Sequence, residues 1–216
     1  MATEIRHVSS LAIANAFSGY VMLLRGQPAA AVPYLERGLA ISEDQDFVHG
    51  VCANAVYLGW AAALSGDHGR AIDLIERGLE QRSGGAVMQW TRYGTVTAAV
   101  YLAAERLAPA RQALAEGAQA ATERQARGYR APLLRLEAEA LLCGGAAPLA
   151  RQRAEEALVV ATELEAEPEI AHVHATLARV AAGLGDLAAA RHHAGAARSR
   201  FEGLGLKLWA ARVDAD

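Results

Sequence analysis

The chain has 216 residues, a formal net charge of -3, 53% hydrophobic and 21% charged residues, a balance that supports a buried core and excludes intrinsic disorder. No stretch approaches the roughly 18 to 20 uninterrupted apolar residues of a spanning helix, and the near-balanced charge lacks the basic footprint of a nucleic-acid binder. The start, MATEIRHVSS, has Glu4 where a signal peptide carries cations, so a cytoplasmic location is the expectation.

In chain order, apolar residues recur at helical spacing, and Gly, Asp or Pro punctuates the joins. The spacing predicts first helices at roughly 4–25, 47–65, 87–105, 129–143 and 168–183, each followed by a second helix at roughly 29–42, 68–82, 108–125, 147–165 and 186–202. Pro28, Pro109, Pro148 and Pro168 fall where a helix should begin and the missing N–H costs nothing. Pro33 sits inside the second helix, where local distortion is expected. A last apolar face, Leu206, Trp209, Ala210 and Val213 at i, i+3, i+4 and i+7, predicts a short terminal helix with Trp209 buried near Leu184 and Phe201.

The ten helices are five copies of one unit. AVPYLERGLA at 31–40 matches AIDLIERGLE at 71–80, Gly19 matches Gly59 and Gly26 matches Gly66, all offset by 40, and Ala110-Arg111, Ala150-Arg151 and Ala190-Arg191 continue the period. No run alternates with period two for long enough to argue a strand. The expected fold is all-α: a right-handed α-solenoid of about five helix-turn-helix repeats, at roughly 4–43, 44–84, 85–126, 127–166 and 167–204, with a cap at 205–213, in one domain over 1–216. Small residues at Gly19, Gly59, Ala98, Ala138 and Ala178, and at Ala31, Ala71, Ala110, Ala150 and Ala190, let paired helices approach closely beside Leu35, Ile75 and Leu114.

Leu58-Gly59, Ala71 and Ile75 resemble the tetratricopeptide repeat, which has a Leu-Gly pair, a small residue about twelve further on and a large apolar residue four beyond. Ala55 and Ala62 stand at its aromatic positions, and the period is about 40 instead of 34. Residues 167–216, through Ala171-His172, Gly185-Asp186, Phe201, Leu204-Gly205 and Trp209, resemble the last unit of the repeat array that ends many bacterial signalling proteins. In that group a class III nucleotide cyclase or helix-turn-helix regulator is joined to an ATPase module and then to such repeats. The resemblance implies a regulatory repeat region contacting its own catalytic domains or a protein ligand.

Catalytic patterns are weak. Lys207 is the only lysine, so no Gly-x-x-x-x-Gly-Lys loop exists. His172 and His174 point about 200° apart on a helix, His192 and His193 diverge likewise, and Cys52 and Cys143 lie far apart, so no metal, cofactor or disulfide site is expected. The expectation is a non-enzymatic module with a protein or peptide partner, without nucleic acid, membrane or cofactor, its oligomeric state open. In the tetratricopeptide register the first helices line a groove with Tyr20, Leu23, Trp60, Leu64, Arg92, Leu102, Arg135, Glu139, His172 and Arg179. An aromatic patch would grade into an Arg-rich one, suited to a segment with an acidic side. The competing expectations are that Tyr20 and Trp60 are packing residues and that Arg135 and Glu139 pair along their helix. A stand-alone adaptor or oligomerisation scaffold is the alternative function.

Overall fold

The computed structural model describes residues 8–81 and 90–213. These form α1 (Val8–Leu24), α2 (Pro28–Asp44), α3 (Val48–Leu64), α4 (His68–Glu80), α5 (Trp90–Ala103), α6 (Leu107–Glu123), α7 (Arg130–Cys143), α8 (Ala147–Glu163), α9 (Glu167–Gly183), α10 (Leu187–Gly203) and α11 (Lys207–Arg212). A 3₁₀ turn at Arg127–Tyr129 precedes α7, and the described residues contain no strand. The expected helix starts at residues 4 and 87 lie outside the described residues. The fold is all-α, and within each unit neighbouring helices pack in the manner of an α-solenoid. The chain divides into two compact units, residues 1–106 and 107–216.

One turn geometry makes the hairpins. At nine described turns the chain places a single residue at positive φ, and the next N–H returns to the carbonyl five residues back, as in Gln27 to Met22, Asp67 to Ala62, Ala146 to Leu141 and Asp186 to Ala181, all at 2.9–3.0 Å. This is the Schellman closure, which satisfies carbonyls left open at a helix end. Gly26, Gly66, Gly145, Gly185 and Gly205 take the left-handed position without a Cβ penalty. Asp46, Glu105, Gln125 and Glu165 take it with one. Asp67 and Asp186 then cap α4 and α10, their carboxylates accepting from the N–H groups of Arg70 and Ala189. The helix α2 runs uninterrupted through Pro33, which is exposed, so the carbonyl it leaves unbonded can reach water.

In unit 1, α1 packs on α2 and α3 on α4, with α3 also against α2, α1 and α5. Gly19 and Gly59 sit where the paired helices nearly touch: a Cβ on Gly19 would lie 2.4 Å from Leu35, and one on Gly59 would lie 2.9 Å from the Ala71 carbonyl and 3.0 Å from Ile75. Helix α3 is buried along nearly its whole length. In unit 2, α7/α8 and α9/α10 form the hairpins, over a core of Leu134, Ala138, Ala154, Ala157, Val160, Ile170, Val173 and Leu177. Helix α11 closes the last hairpin: Ala210, Leu206, Trp209 and Val213 pack with Ala171 and Phe201.

Candidate functional site

The first helices α1, α3 and α5 bring aromatic side chains of unit 1 together. Tyr20 stacks at 4.9 Å on Tyr57 and lies 6.1 Å from Trp60, and Tyr57 meets Tyr93 edge-on at 5.8 Å. These separations suit attractive ring pairs. The Arg92 guanidinium reaches from α5 over the rings of Phe17 (5.3 Å) and Tyr20 (5.1 Å), within cation–π range, and its Nη1 donates to the Tyr57 hydroxyl at 3.5 Å. Tyr57 and Tyr93 are fully buried, whereas Tyr20 and Trp60 are half-buried and Phe17 is exposed. Tyr20 and Trp60 therefore both pack and face outward. Burial, the neighbouring Tyr57 and Cys52 push the Tyr93 hydroxyl far up, so it stays neutral.

The corresponding face of unit 2 is ionic. Arg135 on α7 donates through Nε to Glu169 at 2.7 Å and through Nη1 to Glu139 at 2.9 Å. Glu139 also accepts from Arg179 on α9 at 2.9 Å and from the Thr176 hydroxyl at 2.8 Å. Burial disfavours the Glu139 charge, but Arg179, Arg135 and Thr176 outweigh it and hold the carboxyl down at about 2. Burial likewise opposes the Arg135 charge, and Glu169 with Glu139 overcomes it. Two guanidiniums thus face two carboxylates, so this surface is balanced and hydrogen-bonded instead of a bare Arg-rich patch. Leu23 and Leu64 are buried, and Leu102 is half-buried.

His172 lies under the C-terminal helix, its ring edge-on to Phe201 (4.9 Å) and Trp209 (4.8 Å). Burial, then the nearby Arg135, lowers its pKa to about 3, so it works as a neutral ring. Trp209 packs on His172 and the Phe201 cluster but is half-buried where burial was expected, and Leu184, expected beside it, is 37% exposed.

One pair was not anticipated from the sequence: Nδ1 of His174 on α9 lies 3.0 Å from Nδ1 of His193 on α10. One nitrogen donates and the other accepts, so at most one ring can be charged while the bond lasts. Burial first, then Arg200, His193 and His192, lowers His174 to about 4. The available signal was the antiparallel hairpin itself, because residues 174 and 193 lie on its two arms, either side of the Gly185 turn.

Among the described residues no three His, Cys, Asp or Glu side chains gather as a metal would need, and no helix is long and apolar enough to cross a membrane. No protein-family model matches the chain, and no curated protein matches it.

Proposed function

We propose that the chain is a non-catalytic, cytoplasmic protein- or peptide-binding module whose partner docks on the first-helix face of unit 1. The observation that carries this reading is the half-exposed ring surface of Phe17, Tyr20 and Trp60, ordered from below by buried Tyr57 and Tyr93 and from the side by Arg92. Aromatic groups held rigid before binding give large contact area at low entropic cost, the usual makeup of an interface anchor. Because Arg135 and Arg179 already answer Glu139 and Glu169, acidic recognition is assigned a minor part and an apolar segment is the preferred ligand.

The finer reading is a tetratricopeptide-like array that regulates a larger bacterial signalling ATPase, cyclase or transcription regulator. Leu58-Gly59, Ala71 and Ile75 support it, since Gly59 closes on Ala71 and Ile75 as that repeat requires. A second reading, an oligomerisation scaffold, is favoured by the exposed apolar residues of α1.

Selection of a displayed random-peptide library against the whole chain tests the binding face. Enriched apolar peptides whose affinity falls at least tenfold in Trp60→Ala and Tyr20→Ala are expected. Failure to enrich any sequence, or enrichment indifferent to both variants, would sink the proposal. An open reading frame lacking any ATPase, cyclase or DNA-binding region around this segment would remove the regulatory assignment alone.

A further inference from the structure

Two ring nitrogens converge inside the last hairpin of unit 2. Nδ1 of His174 on α9 and Nδ1 of His193 on α10 lie 3.0 Å apart, with the ring planes 32° from parallel. Two imidazoles bound to one metal ion at about 2.05 Å hold their nitrogens about 2.9 Å apart when they are cis in square or octahedral geometry, and about 3.3 Å apart in tetrahedral geometry. The observed distance falls within that span, so both rings can ligate one ion without a shift of either helix.

Packing does not ask for an imidazole here. Ala55 and Leu134 hold the position of His174 in α3 and α7, and both are buried. A ring that is only 9% exposed gives up hydration that an apolar residue never has. Burial, foremost, lowers the pKa of both rings, that of His174 to about 4, so at neutral pH each is uncharged and carries a lone pair. The proton now shared between the two Nδ1 atoms moves through water to Nε2 of its own ring, and the neutral pair takes up an ion with no net release of protons.

The surroundings accept a cation. The two arginines that act on the pair are each answered by a carboxylate: Arg200 lies 3.6 Å from Glu167 and Arg151 lies 3.5 Å from Asp186. Glu155 adds a negative charge near His193. His193 is half-buried and its neighbour His192 is exposed, which gives an ion a path from solvent. Two side chains do not make the closed four-ligand cage of a structural zinc, so the remaining positions belong to water.

We propose that His174 and His193 are the two protein ligands of an open site for a divalent ion that prefers imidazole, Zn²⁺, Ni²⁺ or Cu²⁺, which staples α9 to α10. Ions that prefer oxygen, Mg²⁺ and Ca²⁺, are rejected by two nitrogen donors. The site is independent of the ring-lined face of unit 1.

The test is calorimetric titration of the full chain with Zn²⁺ alone near neutral pH, with Mg²⁺ as the comparison and circular dichroism as the folding control. Saturable binding of one Zn²⁺ is expected, at least tenfold weaker in His174→Gln and in His193→Gln, unchanged in His192→Gln, and absent with Mg²⁺. If His174→Gln lowers helicity, the half-buried His193→Gln decides alone. No saturable Zn²⁺ binding, or binding that survives His193→Gln, overturns the proposal. Binding that is lost in His192→Gln yet kept in His174→Gln also overturns it, since the ion would then sit on α10 alone.

Discussion

Tyr20 and Trp60 in unit 1 stand at the same repeat position as Glu139 and Arg179 in unit 2, each just after the small residue of its first helix. Unit 1 fills the position with rings 6.1 Å apart, unit 2 with an ion pair at 2.9 Å. The preceding residue, Gly19, Gly59, Ala138 or Ala178, serves the hairpin packing, which leaves the next one free to take up surface chemistry. The two solutions differ in what remains for a partner. Rings that stack keep an apolar face available, whereas Arg135, Glu139, Glu169 and Arg179 spend their hydrogen-bonding capacity on one another. Unit 1 keeps ring surface exposed at this position, and unit 2 uses it to hold α7 on α9.

The sharpest way to break that contrast is to remove Glu139, on which Arg135, Arg179 and Thr176 converge. Glu139→Ala should cost about 3–4 kcal/mol, because it leaves partly buried guanidiniums without their carboxylate. Transplanting the ring solution with Glu139→Tyr/Arg179→Trp should recover most of the loss, since Arg135 keeps Glu169. Urea unfolding measures both; a double variant as unstable as the single would show that the two chemistries are not interchangeable on this scaffold. The packing beneath is attacked by Gly59→Leu. Its Cβ would start 2.9 Å from the Ala71 carbonyl, a backbone atom that cannot rotate away, and overpacking there should cost about 3 kcal/mol. An unaltered melting temperature would contradict the close contact.

The contrast also separates what the sequence made legible from what it hid. The register that identifies Gly59 as a contact point is a one-dimensional repeat, and the hairpins followed from it, as did the terminal helix at Lys207–Arg212. Pairing of Arg135 with Glu139 was open to view because i, i+4 neighbours are fixed by helix geometry. Glu169 and Thr176 were not, since they reach the cluster from the next first helix at a separation that depends on helix crossing. The His174–His193 bond was hidden for the same reason: within one helix the histidines diverge, and only the hairpin brings them together. Non-glycine residues at positive φ were invisible because nothing in Asp46, Glu105, Gln125 or Glu165 announces a left-handed backbone.

Acid should weaken unit 2 through those histidines. His172 and His174 are held down to about 3 and about 4 in the folded chain, against an ordinary 6.5. The unfolded chain therefore binds more protons, so the stability present above pH 6.5 is lost as pH falls from there towards 4. At pH 5.5 the two together should cost about 3 kcal/mol. Around His174 and His193 the facing groups include Arg200 and His192 on α10, Arg151 and Glu155 on α8, and Asp186 in the turn. His172→Phe, which keeps a ring against Phe201 and Trp209, should remove about half of the slope in denaturation midpoints between pH 7 and pH 5. A slope unaffected by it would place the acid sensitivity elsewhere. Glu139 adds its own loss only lower, as pH falls from about 4.5 towards 2.

The smallest expected effect concerns the turns, which both units share. Glu165 closes the α8–α9 turn at φ 50°, while Gly185 closes the α9–α10 turn at φ 78° with the same return bond, Ala166 to Ala161 in one and Asp186 to Ala181 in the other. Since the hydrogen bonding is alike, the two differ chiefly in a Cβ held in the left-handed region, worth about 1 kcal/mol. Glu165→Gly should raise stability by about 0.5–1 kcal/mol, less than the full steric relief because glycine also loosens the unfolded chain. Gly185→Ala should lower it by about 1 kcal/mol. Chemical denaturation of the two variants side by side checks the pairing of signs. A destabilised Glu165→Gly would mean that the exposed carboxylate contributes more to its turn than the backbone conformation costs.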